Sequence, residues 1–280
     1  MKFADLHIHT NCSDGEHTPE EVIKLACQRD LSCVAITDHD TVYAIEPAIK
    51  AAQELNLEVI PGVELSVEQD QHEIHILGYF IDWQASWFQE KLKQIRQERQ
   101  RRAWAIVDKL KEQGISLDAA ELKDRTASEA IGRLHIAKML KKQGQVGSIK
   151  EAFNKYLGNN SCCYVKKFKL TAAEAIDIIA RLGGLSVLAH PFVMDSDELI
   201  VEFVQLGLKG IEIYYPEHDQ AKIAHYLSLA ERYGLLVTGG SDCHGLGKQK
   251  ATIGDVRLPY KLVAAMKKEL GANPDEQKQS

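Results

Sequence analysis

Seven short clusters hold most of the residues in this chain that could do metal chemistry. They are Asp5-Leu6-His7-Ile8-His9, Ser13-Asp14-Gly15, Thr37-Asp38-His39-Asp40, Gly62-Val63-Glu64, His75-Ile76-Leu77, Ala189-His190-Pro191 and Gly240-Ser241-Asp242-Cys243-His244. Nearly all of them close a short apolar run. A strand alternates its side chains between faces, so His7 and His9 project the same way, as two ligands of one ion must. Imidazole mixed with carboxylate suits Zn, Mn or Fe, and a set this rich points to more than one ion. A single histidine near a strand end is more often an ordinary surface or core residue. Six of the eleven histidines recur at this same punctuation, however. Burying such groups is costly unless they are paired or metal-bound. The pattern reads as a multinuclear metallohydrolase.

The elements that must position these residues alternate in type. Strands are expected over Phe3–His9, Cys33–Thr37, Glu58–Gly62, Ile74–Tyr79, Leu185–Ala189, Gly210–Tyr214 and Leu235–Gly239. Helical patterns cover Thr18–Arg29, Val42–Leu55, Thr171–Leu182, Asp197–Leu206, Glu217–Tyr233 and Lys261–Leu270; the first opens on Thr-Pro-Glu-Glu, a helix-start signal. Strand–helix repetition argues an α/β fold with a parallel sheet. Ligands from many strand ends can meet at one point only if that sheet closes. The expected fold is therefore a distorted seven-stranded (β/α)7 TIM-like barrel with its site at the C-terminal mouth. The rhythm breaks from Trp87 to Lys169, where Gln89–Gln113, Ala127–Lys142 and Ile149–Leu157 are helical and no strand is convincing. Residues 87–169 read as a small, substrate-covering helical insertion between barrel parts 1–86 and 170–272, followed by a polar tail, 273–280, expected to fray. The run Arg96-Gln97-Glu98-Arg99-Gln100-Arg101-Arg102 reads as a solvated helix face in preference to an RNA contact.

A length of 280 residues suits one large barrel with a modest insertion. The net charge of −6 argues against long duplex DNA as a partner but leaves short, locally bound nucleotides open. No apolar run approaches the roughly 20 residues of a membrane span, and MKFADLHIHT enters a strand without a signal peptide. Six scattered cysteines with no CxxC read as reduced thiols of a cytoplasmic protein; strand parity turns Cys243 away from its ligand-like neighbours, into packing. Nothing calls for an obligate protein partner.

Taken together, DLHIHTNCSDG, AITDHDT, GVELS, HILGY, AHP and GSDCHG resemble the polymerase and histidinol phosphatase (PHP) phosphoesterases in order, spacing and sequence, across the whole chain. Gly132-Arg133-Leu134-His135-Ile136-Ala137 is similar to the subgroup that hydrolyses nucleoside 3′,5′-bisphosphates and trims RNA as a 5′→3′ exoribonuclease. That subgroup more often has Pro where Leu134 stands, which touches no functional side chain. The resemblance implies a PHP barrel with a trinuclear centre and two to three divalent ions, Mn first, with Zn or Fe open. His7, His9, Glu64 and Asp242 would hold one ion; Glu64 would bridge to a second with His75 and His190; Asp14, His39 and His244 would hold the third. Asp14, His39, Glu64 and Asp242 then carry the catalysis with Arg133, a bidentate phosphate clamp, and His135 is a second donor. The implied reaction is direct, metal-assisted hydrolysis of a phosphate ester in a nucleotide or short 5′-phosphorylated RNA.

Three rivals stay open. A small-metabolite phosphatase resembling histidinol phosphatase would use the same centre. A deamidating amidohydrolase also begins with HxH but wants a lysine between its metals, where Glu64 stands here. A non-catalytic accessory domain would be expected to lose ligands. Among the remaining residues, Asp38 or Asp40 is expected to fix the tautomer of His39 as a hydrogen-bond acceptor. Asp5 reads either as a similar support for the HxH pair or as structural. His218 lies after the sixth strand, on the mouth side, and is a substrate-contact candidate. Glu212 reads as a buried, hydrogen-bonded carboxylate, and His72, His17 and His225 fall outside the set.

Overall fold

The computed structural model describes residues 2–69, 72–118, 122, 132–166, 170–194, 196–245 and 251–271; the tail expected over 273–280 lies outside them. The chain divides into two compact units, residues 1–88 with 169–280, and residues 89–168. The strands are β1 (Phe3–Ile8), β2 (Cys33–Ile36), β3 (Glu58–Gln69), β4 (His72–Tyr79), β5 (Leu185–Leu188), β6 (Gly210–Tyr214), β7 (Leu236–Gly239) and β8 (Leu258–Pro259). The helices are α1 (Pro19–Gln28), α2 (Ile45–Ala52), α3 (Ser86–Glu112), α4 (Arg133–Lys142), α5 (Ile149–Ala152), α6 (Ala172–Arg181), α7 (Asp197–Gln205), α8 (Gln220–Tyr233) and α9 (Tyr260–Glu269). Among the described residues, no helix is long and apolar enough to cross a membrane.

In the first unit, all eight strands form one sheet in the order β7-β6-β5-β4-β3-β2-β1-β8. Neighbours are parallel from β1 to β3 and from β5 to β7. The sequence reading of a wholly parallel sheet is corrected at β4, which runs antiparallel to both neighbours. The reason is length: β3 continues to Gln69 and β4 begins at His72. Two residues can turn a hairpin but cannot supply the crossover a parallel pair needs. The eighth strand is a two-residue piece on the start of β1. At the far end of β1, Ile8 bridges Cys243 and the His9 amide donates to the Cys243 carbonyl at 3.0 Å, which nearly closes the sheet into a barrel.

Local chemistry explains the elements. Helix α1 begins with a reciprocal capping box between Thr18 and Glu21, with Pro19 in the first turn. Helix α8 stops at Gly234, whose φ of 65° only glycine adopts freely. One apolar cluster joins Leu6, Ala35, Ile60, Tyr79 and Val187 to Val263 and Met266 of α9. Another packs Val22 and Ile23 of α1 and Ala48 of α2 on Ile8, Val34 and Ile36.

The second unit has its own core, in which Ile106 and Leu110 of α3 meet Ile136 and Leu140 of α4, and also Leu157. The basic run is not a uniformly solvated face. Arg96 and Arg99 are buried, Arg101 pairs with Glu98, and the Arg102 Nε donates to the Val165 carbonyl at 2.8 Å.

Candidate metal centre

Strand β1 builds the floor of the site. Asp5, His7 and His9 share one face of the strand and are all buried. Asp5 accepts from the amides of Ser241 and Gly254, each at 2.8 Å, and so ties the ends of β1 and β7 and the following loop together. Burial raises its carboxyl to about 6 despite those bonds. Asp5 is thus a structural anchor, the second of the two roles its position allowed.

His7 Nδ1 lies 3.0 Å from Glu212 Oε1, and a carboxylate can only accept, so Nδ1 carries the hydrogen. Its Nε2 then presents a lone pair 3.1 Å from His9 Nε2 and 3.4 Å from both Glu64 Oε2 and Asp242 Oδ1. Glu212, fully buried, also accepts from the His190 amide at 2.9 Å. Glu64, at the point where β3 passes the mouth, divides its two oxygens. Oε1 lies 2.8 Å from His75 Nδ1 and 3.2 Å from His190 Nε2. Oε2 lies 3.1 Å from His9 Nε2 and 3.0 Å from His39 Nδ1. Asp14 Oδ1 is 3.1 Å from His244 Nε2 and 3.9 Å from His39 Nε2. His244 Nδ1 donates to the Asp242 carbonyl at 2.8 Å, which again leaves Nε2 bare.

The nine residues singled out as ligands therefore lie in one cluster. Three overlapping groups keep their ligand atoms within 4.8 Å: His9, Asp14, His39 and His244; His7, His9 and Asp242; His39, Glu64 and His75. His9 and His39 each belong to two groups, a finer sharing than the motifs implied. Whether these residues fit metal ions is answered by their lone pairs. His9 Nδ1, His39 Nδ1, Glu64 Oε2 and His244 Nε2 are buried without a hydrogen-bond partner, although His39 Nδ1 and Glu64 Oε2 are 3.0 Å apart. Buried imidazole and carboxylate atoms this close together are costly unless protons or a cation lie among them. Divalent ions fit this donor set.

The electrostatics agree. Burial pulls the His9 imidazole down, but hydrogen bonds and charge from Asp242 and Glu64 outweigh it and hold the group at about 9. Burial would raise Glu64, yet His39, His75 and His7 keep it well below the usual carboxylate range; His7, His244 and His9 do the same for Asp242. His39 is the exception, since burial prevails over Glu64 and Asp14 and lowers it to about 3. The backbone bends sharply here too. Asp40, His190 and Asp242 occupy left-handed conformations, at φ 51°, 29° and 50°. Such residues are held by their surroundings and gather at functional sites.

Other residues stand where the sequence did not place them. The aspartates flanking His39 brace the loops beside it. Asp38 accepts from the Thr10 amide at 2.7 Å, from its hydroxyl at 2.6 Å and from Ser13, and Asp40 accepts from the Ser66 amide at 3.0 Å. Short loops that carry ligands need their amides satisfied, and these carboxylates supply the acceptors. Tyr215 was missed: its hydroxyl donates to Asp242 Oδ2 at 3.0 Å. Its position just past the mouth end of β6 was the available signal. His218 is buried and donates from Nδ1 to the Ile213 carbonyl at 2.8 Å. In the second unit, Arg133 Nη1 donates to the Leu157 carbonyl at 3.0 Å and to Asn159 Oδ1 at 2.8 Å. His135 Nδ1 accepts from the Gly132 amide at 3.0 Å, which places the ring hydrogen on Nε2. His225 is half-exposed beside Asp197 at 3.0 Å, and the His72 side chain lies outside the described residues.

The PHP domain model matches residues 5–160. A 3′,5′-nucleoside bisphosphate phosphatase of Chromobacterium violaceum is 34% identical over 91% of this chain and 91% of its own. A 5′-3′ exoribonuclease of Escherichia coli is 35% identical over 86% of this chain and 84% of its own. A phosphoribosyl 1,2-cyclic phosphate 1,2-diphosphodiesterase of Eggerthella lenta is 31% identical, over 86% and 94%. A crystal structure described as a proposed metal-dependent phosphoesterase of Bifidobacterium adolescentis superposes with a TM-score of 0.86, at 28% identity over 94% of this chain and 95% of that one.

Proposed function

The chain belongs to the PHP-domain family, and on that premise we propose that it hydrolyses phosphate esters of nucleotides: nucleoside 3′,5′-bisphosphates and short 5′-phosphorylated RNA. The observation that carries this reading is the set of buried lone pairs, on His9, His39, Glu64 and His244, that converge without partners. Three divalent ions, Mn in preference to Zn or Fe, would be held by His7, His9, Glu64 and Asp242, by Glu64, His75 and His190, and by Asp14, His39 and His244. When bound, such ions supply Lewis acidity to the attacking water and to the phosphoryl oxygens.

The chain's own residues do the rest. Glu212 fixes the tautomer of His7 and so aims its Nε2 into the site. Tyr215 holds one oxygen of Asp242, which leaves the other directed at His7 and His9. With Asp14, Glu64 and Asp242 committed to the ions and Glu212 to His7, no carboxylate would be left as a nucleophile, so water would attack phosphorus directly as the ester oxygen leaves. Arg133 supplies a phosphate contact, and His135, with its hydrogen on Nε2, supplies a second donor.

A second reading, a phosphatase or diesterase of small phosphorylated sugars, is favoured by the 31% identity to the Eggerthella lenta diesterase. A phosphate-release screen separates the two. Metal-loaded protein is offered adenosine 3′,5′-bisphosphate, a 5′-phosphorylated RNA trimer, a ribose cyclic phosphate and histidinol phosphate. The two nucleotides should give the highest kcat/KM, chelation should abolish turnover, and Mn should restore it. A clear preference for the sugar or histidinol ester would replace the nucleotide reading.

A further inference from the structure

The second unit carries two adjacent thiols that phosphate ester hydrolysis does not use. Cys162 is exposed and Cys163 is buried, and their Sγ atoms lie 3.7 Å apart. Cys163 packs with Ile106, Leu110 and Leu157 in the core of this unit. Burial, with the neighbouring Cys162 sulfur, pushes its thiol up to about 12. Attack on a reagent from solvent therefore falls to Cys162.

What the pair holds in place gives it a consequence. After α5 the chain makes a wide π-helical turn, Phe153–Leu157, a form that concentrates at functional positions. Side chains cap its carbonyls. The Cys162 thiol donates to the Lys155 carbonyl at 3.8 Å, the Ser161 hydroxyl to that of Phe153 at 3.3 Å, and Arg133 Nη1 to that of Leu157 at 3.0 Å. Asn159, three residues before Cys162, accepts from the same Nη1 at 2.8 Å. The other side of the pair is pinned to α3, because Lys109 Nζ donates to the Tyr164 carbonyl and Arg102 Nε to the Val165 carbonyl, each at 2.8 Å. A displacement of Cys162 is thus taken up on the side that holds Arg133.

The chemistry open to such a pair is exchange with a small-molecule disulfide. The Cys162 thiolate attacks one sulfur of the reagent, whose S–S bond breaks and releases a thiolate that takes up a proton. Cys163 then gives its proton to solvent and attacks the Cys162 sulfur, and the second reagent thiolate leaves. Two chain thiols are oxidised to one disulfide, and one reagent disulfide is reduced to two thiols. Two sulfurs already in contact favour this closure over a lasting mixed disulfide. Adjacent Cα atoms are about 3.8 Å apart, short of the roughly 4.4 Å at which ordinary bridges begin, so the product is strained and easily reduced. Bridges of that kind are regulatory and not structural.

We propose that Cys162 and Cys163 form a reversible dithiol–disulfide site whose closure uncaps the Lys155 carbonyl and loosens the turn that holds Arg133. Its effect on turnover rests on the reading of Arg133 as a phosphate contact. The test treats the reduced, metal-loaded full chain with oxidised glutathione and then with excess reduced glutathione. The tryptic peptide from Tyr156 to Lys166 contains both cysteines and should lose two hydrogens, retain no glutathione, and recover on reduction. Cys163→Ala should instead keep glutathione on Cys162. Cys162→Ser, a change at an exposed position, should stay unmodified there and leave the activity of the reduced protein unchanged. Amide hydrogen exchange across Phe153–Leu157 should rise on closure in the intact chain and not in Cys162→Ser. With closure, kcat/KM for adenosine 3′,5′-bisphosphate should fall several-fold relative to p-nitrophenyl phosphate, at most by the roughly 10- to 150-fold expected for losing the Arg133 contact. Oxidation should then cost Arg133→Ala nothing further. Thiols that stay reduced, a mixed disulfide that never closes, or closure with unchanged exchange across Phe153–Leu157 would overturn the site. Closure that loosens the turn but leaves substrate preference unchanged would remove the phosphate role of Arg133 and leave the thiol site standing.

Discussion

The inserted unit and the barrel bury very different things. In the insertion the core is Ile106, Leu110, Ile136, Leu140 and Leu157, and its notable cation, Arg133, is tied to a carbonyl and a side-chain amide of the same unit. In the barrel, six imidazoles and three carboxylates crowd together, and several of their atoms have no protein partner. Packing stabilises the first region from within. The second holds a crowded set of imidazoles and carboxylates that bound cations would stabilise further, so its stability should depend on ligand concentration.

The widest separation between the two regions should appear on removing a ligand. Asp242→Ala or His39→Ala should lower kcat by three orders of magnitude or more, about 4 kcal/mol. A variant that retained a tenth of the activity would show that the cluster is not the reaction centre. In the insertion the balance should invert. Leu140, fully buried, should cost about 2–5 kcal/mol of stability as Leu140→Ala, seen in denaturant melts, with the metal content of the folded protein unchanged. Loss of metal together with that core would mean that the two regions do not behave separately.

Acid and base should sharpen the contrast. In the metal-free protein His9 is held at about 9, above its unfolded value near 6.5. Its favourable contribution is therefore complete below about 6.5 and is lost as pH rises through 9. Metal needs the neutral imidazole, so affinity should climb across the same window, by up to tenfold per unit. The rise in melting temperature on adding Mn should accordingly be larger at pH 8.5 than at pH 6.5, and an equal rise at both would argue that His9 is not a ligand.

Smaller effects test the edges of each region. Arg133→Ala should lower kcat/KM for a nucleoside 3′,5′-bisphosphate by roughly 10- to 150-fold relative to p-nitrophenyl phosphate, the worth of a charge-assisted fork at about 1.5–3 kcal/mol. Arg133→Lys should recover only part. Parallel losses on both substrates would place Arg133 on the cleaved phosphate itself. Glu212→Gln should weaken metal binding by about 10- to 100-fold, because an amide holds the His7 tautomer less firmly. Titration of the metal-free protein reads this directly, and unchanged affinity would reduce Glu212 to packing.

Much of the site was legible because its logic is local. Strand parity put His7 and His9 on one face, and most of the remaining clusters end an apolar run, which is where a barrel presents its mouth. Contacts made across the fold were not legible in this way. Nothing local to Tyr215 says that its hydroxyl meets Asp242, 27 residues on. Asp38 and Asp40 border His39 in sequence but serve the amides and hydroxyls of Thr10, Ser13 and Ser66, partners set by how loops fold back. The reversal of β4 was hidden for a similar reason. Ile74–Tyr79 reads as a strand either way, and only the length of β3, which outran Gly62 by seven residues, decides its direction.

The seam between β1 and β7 has a consequence for how the fold could come apart. Strand β8 occupies the start of β1, and the end of β1 meets the β7 side by a single bridge, Ile8 to Cys243. Gly240 fits there only because it has no side chain: a Cβ would lie 2.3 Å from the His7 nitrogen. Asp242 Oδ1 reaches across the same gap to His7 Nε2 at 3.4 Å and His9 Nε2 at 3.1 Å. The ring is therefore fastened at this joint by the Asp5 carboxylate and the His9–Cys243 backbone bond together with groups of the centre itself. Amide hydrogen exchange should register a change in the centre first along this joint, which makes the seam a built-in gauge of occupancy.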